Sequence, residues 1–418
     1  MSKLHLTTFS AACVLVRLLA ACGSDPDAPA DTAPPPDDRD SGAPRGDAGS
    51  DEADAGDASD AAPDRRITWD GGGDAGAPVV LDVWAQGGTF CARVQRSTGT
   101  TVECWGLNNT GQLGRGDVTP TVAMGTTFKA FPIDAPDAHT FKVIRTASPA
   151  RPTICGVTAD DDLKCWGGTY GSSATTASVP AEPLLTGVAD VSVGPSHSCA
   201  VLTDGRVACW GENPSGVLGM GTSGGVAQQV PRAIPDFTAD QVSTGANVTC
   251  AVKDGEVWCW GTGSLTGNGM LFNAITSPTR VEGLSGIKKV QANTFTFALA
   301  EDKTLWFWGV GLGNMPSYSP ARVLDPAPGE PDRLMSDVED VAGNCLLFTN
   351  GKVRCLAVIA GVYHFDEMPR VSDAVRLEPW CALSSAGSLR CWGSNHAGQL
   401  GVASSHLASS AGSVELKL

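Results

Sequence analysis

The sequence is short of the residues that proton-transfer chemistry and nucleic-acid binding draw on. Its 418 residues include six histidines and three tyrosines. Lysine plus arginine total 29 against 45 acidic residues, a net charge of −16. A chain of that sign lacks the basic footprint on which nucleic-acid binding rests, so nucleic acid is not expected as a partner. After the N-terminal segment, no apolar run approaches the roughly 18 residues that cross a bilayer. No H-E-x-x-H or G-x-x-x-x-G-K-[ST] motif occurs, which removes the common zinc-hydrolase and nucleotide-loop readings. No long stretch repeats its apolar residues at helical spacing. Glycine and cysteine are plentiful instead, at 50 and 14 residues. Tight turns and an oxidising compartment are the expectation.

The N-terminus, "MSKLHLTTFSAACVLVRLLAAC", has a weakly basic start, an apolar stretch and small residues at its end. That is the layout of a secretory signal. Leu19-Ala20-Ala21-Cys22 resembles a bacterial lipobox, although Arg17 interrupts the apolar stretch. The resemblance implies a lipoprotein signal peptide at residues 1–21 and lipidation of Cys22, with the chain held on the cell envelope at the outer membrane or cell surface. An ordinary cleaved signal is the alternative. Residues 22–77 are rich in Asp, Ala, Pro and Gly. Between Gly23 and Ala77 there are 15 acidic and 4 basic residues, a net of −11; residues 1–22 add +2, so Pro78 to Leu418 carries −16 + 11 − 2 = −7. A segment of this composition cannot bury enough apolar surface to offset its ordering entropy, so a disordered linker is expected. As a flexible coil it spans roughly 40 Å.

From Pro78 the sequence is periodic. "CWGLNNTGQLG" starts at Cys104, "CWGENPSGVLG" at Cys209, "CWGSNHAGQLG" at Cys391, and a looser "CWGTGSLTGNG" at Cys259. Anchored on Cys91, Cys155, Cys199, Cys250, Phe297, Cys345 and Cys381, the steps are 64, 44, 51, 47, 48 and 36 residues. A period near 50 points to a solenoid or a propeller. Alternating apolar residues and Asp-Gly or Asn-Gly turns point to hairpins. Seven such units fit a closed ring, which leaves no exposed sheet edge. The expected fold is therefore all-β, a seven-bladed β-propeller of four-stranded antiparallel blades over 78–418.

Opposed residues of an antiparallel hairpin share a constant index sum, which tests the cysteines by register. Cys199 with Cys209 leaves the loop Thr203-Asp204-Gly205, and Cys250 with Cys259 leaves Asp254-Gly255. Cys155 with Cys165 leaves Ala159-Asp160-Asp161. Cys345 with Cys355 leaves Thr349-Asn350-Gly351, and Cys381 with Cys391 leaves Ser385-Ala386-Gly387. Cys91 with Cys104 leaves a longer loop from Gln95 to Thr100. Loop length varies while the cysteines stay opposed, at a separation a disulfide spans. In the fifth repeat Phe297 and Phe307 replace both members together, as a bridge requires and a metal site does not. Six disulfides are expected, each worth about 2–3 kcal/mol in the loop-entropy model. Trp105, Trp166, Trp210, Trp260, Trp308 and Trp392 follow the second position of the pair and point to the other sheet face, where they are expected to form the core between blades. The sixth repeat lacks both this Trp and its Gly.

W-G-x-N-x-x-G-Q-L-G after an apolar hairpin, recurring over seven units, resembles the regulator of chromosome condensation repeat family. The resemblance covers Pro78 to Leu418 and is strongest in repeats one, three and seven. It implies a seven-bladed propeller whose last strand, "SVELKL", pairs near the "VVLDVWA" start to close the ring. The eukaryotic founder of the family exchanges nucleotide on a small GTPase and binds chromatin. Secreted bacterial members grip other proteins with one rim, among them an inhibitor of β-lactamases. For an exported, acidic chain the family implies protein binding or scaffolding.

No catalytic, cofactor or metal constellation is expected. His197 sits two residues before Cys199, where other repeats carry Thr89, Thr153, Val248, Phe295, Gly343 and Pro379, a pattern of structural variation. His364 with Asp366 and Glu367 is the one candidate cluster. The main reading is a monomeric, lipid-anchored, non-enzymatic propeller that binds a protein through rim loops at Leu107–Thr127, Glu212–Gly225, Thr262–Asn273 and Ser394–His406. The first of these insertions continues into Phe128 and Phe131. The alternatives are an extracellular lyase or hydrolase using the propeller channel, which needs carboxylates clustered with a His, and a guanine-nucleotide exchange factor by family analogy.

Overall fold

Alternating apolar residues and tight turns fold each repeat back on itself. The structure, a computed structural model, describes residues 67–68, 78–86, 88–118, 131–133, 141–146, 153–168, 170, 175–176, 179–180, 182–271, 273–309, 317–325, 333–359, 362–393, 400 and 414–417. All of them lie in Pro63–Leu418, one of two units of the chain. The signal segment, Cys22 and most of the acidic linker lie outside the described residues.

Among the described residues there are seven sheets, six of four antiparallel strands and one of five whose outermost strand is parallel to its neighbour. Blade three shows the pattern: Val188–Val193, His197–Leu202, Arg206–Gly211 and Gln228–Thr238 pair in chain order. The first strands of the other blades are Val79–Gln86, Phe141–Thr146, Gln241–Thr244, Ile287–Gln291, Val338–Ala342 and Ala374–Glu378. First strands of neighbouring blades touch one another, so they surround the axis.

The turns follow from backbone chemistry. Asp254 and Gly255 both have positive φ, +52° and +75°, the two-residue turn that matches strand twist. In the three-residue loops the third residue is left-handed: Gly205, Gly351 and Gly387, but also Asp161 at +65° and Lys303 at +68°. The first blade departs from expectation. Gln95 to Thr100 is not a loop; the ladder continues through Gln95↔Thr100 to Arg96↔Gly99 and turns at two residues. β-branched Thr100, Thr101 and Val102 favour extended backbone, so the extra length becomes strand.

Six cysteine pairs stand directly opposite one another, with Cα–Cα distances of 4.0–4.1 Å and sulfurs at covalent distance. Alternation sends the six repeat tryptophans to the other face of their strands, and all six are buried. The core then has one rule. The cysteine face of each blade packs on the tryptophan face of the next. Cys91 and Cys104 share a cluster with Trp166, Cys199 and Cys209 with Trp260, Cys250 and Cys259 with Trp308. Cys155 packs with Trp210 and Cys345 with Trp392.

The exceptions obey the same rule by volume. Blade six has Leu356 where the tryptophan belongs, and the blade before it has Phe297↔Phe307 in place of a cysteine pair. Phe297 fills the space the indole would take. Its ring lies 6.4 Å from that of Phe365, the cross-strand partner of Leu356. A large residue opposite a small pair has become a large pair opposite a small residue, which keeps the junction filled.

Ring closure differs from expectation. "SVELKL" does not pair near "VVLDVWA". Val414–Lys417 is the fourth strand of its own blade, beside Leu389–Cys391, and Ile67–Thr68 adds a fifth strand parallel to it. Residues before Pro78 therefore take part in the last sheet. Pairing with the nearest strand in sequence closes the shorter loop. Side chains add to this pairing: Leu383, Leu389 and Leu400 of blade seven pack against Val83, Phe90 and Trp105 of blade one. Arg376 adds an ion pair to Asp82 across the same seam.

Replacing Phe297 and Phe307 together by cysteine should lower stability by about 2–4 kcal/mol even when the new pair oxidises, because the facing blade carries no indole to fill the space. Adding Leu356→Trp to that variant should recover part of the loss. Equilibrium denaturation of the three proteins decides it; an unchanged midpoint in the double variant would show that volume exchange does not hold this junction.

Candidate functional site

The recurring Trp-Gly phrase is a mechanical joint between blades. After Trp210 the chain must turn at once. Gly211 has φ +111°, and a Cβ there would stand 2.6 Å from the His197 Cα. The Asn two residues further on pins the exit loop. Asn213 accepts the Leu218 amide on Oδ1 at 3.1 Å and donates Nδ2–H to the Thr222 carbonyl at 2.9 Å. Asn108 does the same for the first blade, accepting the Leu113 amide at 3.0 Å and donating to the Asp117 carbonyl at 3.1 Å.

Held this way, the Gly-x-Leu-Gly turn grips the tryptophan of the next blade. The indole N–H of Trp166 donates to the Gln112 carbonyl at 2.9 Å, Trp260 to Val217 at 2.7 Å, and Trp308 to Leu265 at 3.0 Å. The turn's last glycine is needed for this approach: a Cβ on Gly219 would lie 3.0 Å from the Trp260 indole nitrogen. Blade four uses a turn two residues shorter, yet keeps both the carbonyl and the glycine.

His197 belongs to this joint. Its Nε2 lies 2.7 Å from the Thr249 hydroxyl, which donates to the same Val217 carbonyl at 2.8 Å. The hydroxyl spends its proton on the carbonyl, so Nε2–H is the donor to it. The ring is fully buried, and burial lowers its pKa to about 3. It is held neutral between two blades and reaches no open site.

The phrase is altered in repeats four and five and absent from repeats two and six. Repeat six lacks it, and Trp392 of the following blade has a buried indole N–H with no hydrogen-bond partner. Repeat two reads "WGGTYGSSATTAS", with no Gly-x-Leu-Gly. There a pocket of about 290 Å³ opens between blades two and three, lined by Trp166, Gly168, Tyr170, Leu184, Trp210 and Gln229 among others. Tyr170 stands at its side, with its hydroxyl donating to the Gly194 carbonyl at 3.0 Å and lying 2.6 Å from the Ser198 hydroxyl. Sequence reading missed Tyr170 and the buried Trp84. The missing Gly-x-Leu-Gly was the signal for the first.

The axis carries charge but in pairs. Arg145 meets Asp190 at 3.7 Å and Lys289 meets Asp340 at 2.5 Å, each linking one blade to the next; Arg376 and Arg93 both reach Asp82. Burial raises the pKa of Glu378, opposed by Arg145, Arg376 and Lys289. Burial likewise raises Asp82, opposed by Arg376 and Arg93. No described histidine joins these carboxylates. His364, Asp366 and Glu367 are exposed on the outer strand of blade six, where Glu367 pairs with Lys352 at 2.9 Å. Among the described residues no group of His, Cys, Asp and Glu has the geometry to hold a metal. Gly221-Thr222-Ser223-Gly224-Gly225 spells Gly-x-Ser-x-Gly, but Ser223 sits in an exposed loop without the strand-to-helix turn that gives this motif its chemistry.

The predicted rim loops are described unevenly. Glu212–Gly225 is described throughout and Thr262–Asn273 except at 272. Of Leu107–Thr127 only 107–118 is described, and of Ser394–His406 only Leu400; Phe128 lies outside the described residues.

Seven sheets around an axis, locked at three described junctions by an indole and a turn, define a β-propeller. Residues 188–217 and 204–252 match models of the regulator of chromosome condensation (RCC1) repeat, and the chain carries those repeats. It is 28% identical over 236 residues to the human E3 ubiquitin-protein ligase HERC2, covering 50% of this chain and 5% of that protein. It is 29% identical over 180 residues to the ultraviolet-B receptor UVR8 of Arabidopsis thaliana, covering 40% of this chain and 38% of the receptor. The chain thus spans well under half the length of these relatives. Prp20p of Saccharomyces cerevisiae shares the fold, with a TM-score of 0.59 at 16% identity over 76% of this chain and 86% of that one.

His197 gives the joint a pH signature. Its folded pKa lies below the unfolded value near 6.5, so the unfolded chain takes up the proton first. The stability it contributes is complete above pH 6.5 and is lost as pH falls towards 3. Between pH 6.5 and 5 the native protein should lose about 1.5 kcal/mol more than a His197→Asn variant, measured by denaturant unfolding at each pH. Parallel pH profiles would remove the histidine from the joint.

Proposed function

We propose that this chain is a cell-envelope scaffold: a non-enzymatic propeller, held by lipid on Cys22 and an acidic tether, that grips a partner protein with the exit-loop rim. An RCC1-type propeller is a protein-interaction fold, which supports the coarse part of this reading. The observation that carries the rest is the contrast between frame and loops. The hairpin and the Trp-Gly turn recur through most of the ring, whereas the exit loops differ in length and sequence beyond that turn. Two described loops also present large apolar side chains to solvent: Val226 at 87% exposure, Met270 at 48% and Leu271 at 44%. A contiguous exposed apolar patch marks an interaction surface, whereas single exposed apolar residues are ordinary, so this reading takes the three side chains as acting together. Among the described residues the axial carboxylates Asp82, Asp190 and Asp340 are held in ion pairs. Nucleotide exchange rests on family analogy alone.

A photo-crosslinking residue at Val226 or Met270, in cells that make the protein, should trap a defined adduct. The same residue at Asp204, on the hairpin turn of the opposite rim, should not. Equal trapping at all three positions would overturn the rim assignment. Palmitate labelling of the wild type, lost in Cys22→Ala, is the expected result for the anchor; label retained by the variant would place the lipid elsewhere.

A further inference from the structure

At three described junctions the chain fills one and the same space with its own turn. Leu113, Leu218 and Leu265 are buried there. A carbonyl of each turn, from Gln112, Val217 and Leu265, accepts the indole N–H of the next blade at 2.7–3.0 Å. At the junction of blades two and three the sequence of repeat two has no Gly-x-Leu-Gly, and a pocket of about 290 Å³ lies beside Trp210. Trp210 forms one wall, and among the described residues no hydrogen bond satisfies its indole N–H. The Tyr170 hydroxyl is spent on Gly194 and Ser198, and the Gln229 amide on the Tyr170 carbonyl, so neither is free to close the gap. The volume lies at the low end for ligand pockets, which suits a side chain with its flanking backbone rather than a cofactor.

We propose that this pocket receives a tight turn from a partner protein, with an aliphatic side chain between small residues and a backbone carbonyl offered to the Trp210 indole N–H. The other junctions are the template. What the chain supplies to itself in cis after Trp105, Trp210 and Trp260 it takes in trans after Trp166. The donor N–H, the glycine-lined entrance at Gly168 and the apolar wall of Leu184 match the parts such a turn presents elsewhere in the ring. The proposal rests on the reading of this rim as protein-binding and names the feature of the partner that it holds.

The test uses the full chain with nitrogen-15 in its tryptophan indoles and a cyclised peptide of the chain's own turn, Asn-Asn-Thr-Gly-Gln-Leu-Gly. Trp210→Phe identifies the Trp210 resonance by its loss. Titration should move that resonance saturably, leave those of Trp166, Trp260 and Trp308 in place, and weaken roughly tenfold when the peptide leucine is replaced by aspartate. Trp210→Phe, which keeps an aromatic ring but loses the donor, should weaken binding of a fluorophore-labelled copy of the peptide by a similar factor. A Trp210 resonance that stays fixed at millimolar peptide overturns the proposal. So does an equal response to the aspartate peptide, or to a free aliphatic alcohol, which would make the pocket a generic apolar cavity. Crosslinks at Val226 or Met270 with a fixed Trp210 resonance would sink the pocket and leave the rim reading standing; the reverse pattern would sink the rim reading and leave the pocket.

Discussion

Three described junctions of this ring turn on one contact, an indole N–H donated backwards to a carbonyl in the exit turn of the preceding blade. The contact is buried, and an unmade hydrogen bond there costs on the order of 1–3 kcal/mol. It therefore constrains both sides. The donating blade must place a tryptophan at a fixed register, which the opposed cysteine pair one residue earlier secures. The accepting blade must present a carbonyl beside a residue with no Cβ, which explains the last glycine of the turn. The Asn that braces the loop and the histidine that braces the neighbouring threonine are consequences of the same demand.

The junctions that break the pattern show which part of it is negotiable. Between blades five and six the indole is gone and two phenylalanines have taken over its volume, so packing is preserved by different chemistry. Before blade seven the indole persists without an acceptor, a local cost carried by the surrounding apolar cluster. Before blade three the Gly-x-Leu-Gly phrase is absent from the sequence and a pocket lies beside the indole. Packing density can be restored by exchange across an interface, whereas a directional donor needs its particular partner. That asymmetry makes an absent turn more consequential than an absent tryptophan.

Charge follows a comparable logic at the axis. First strands converge there, and like charges would repel at close range. Arg145 with Asp190, Lys289 with Asp340 and Arg376 with Asp82 alternate sign from blade to blade. Each pair joins residues roughly fifty positions apart, or from the two ends of the ring. The girdle ties blade to blade near the axis while the tryptophan joints tie them further out. A ring held at both radii is a stiff frame, and chemical variety is left to the loops it displays.

The hairpins were legible from the chain alone because their information is local. An index sum places Cys199 opposite Cys209 from about ten residues of sequence, and strand alternation sends Trp210 to the other face. The same local logic misjudged Gln95 to Thr100, where β-branched residues extended the ladder instead of opening a loop. The sequence also placed the six tryptophans between blades, but not how each blade meets its neighbour. That the cysteine face meets the next tryptophan face, that Phe297 answers the missing tryptophan of blade six and that a pocket opens at Trp210 all join residues many tens of positions apart. No spacing rule reaches that far, because strand register is set by neighbours along the chain and blade packing is set by volume and by which donor finds which acceptor in the closed ring.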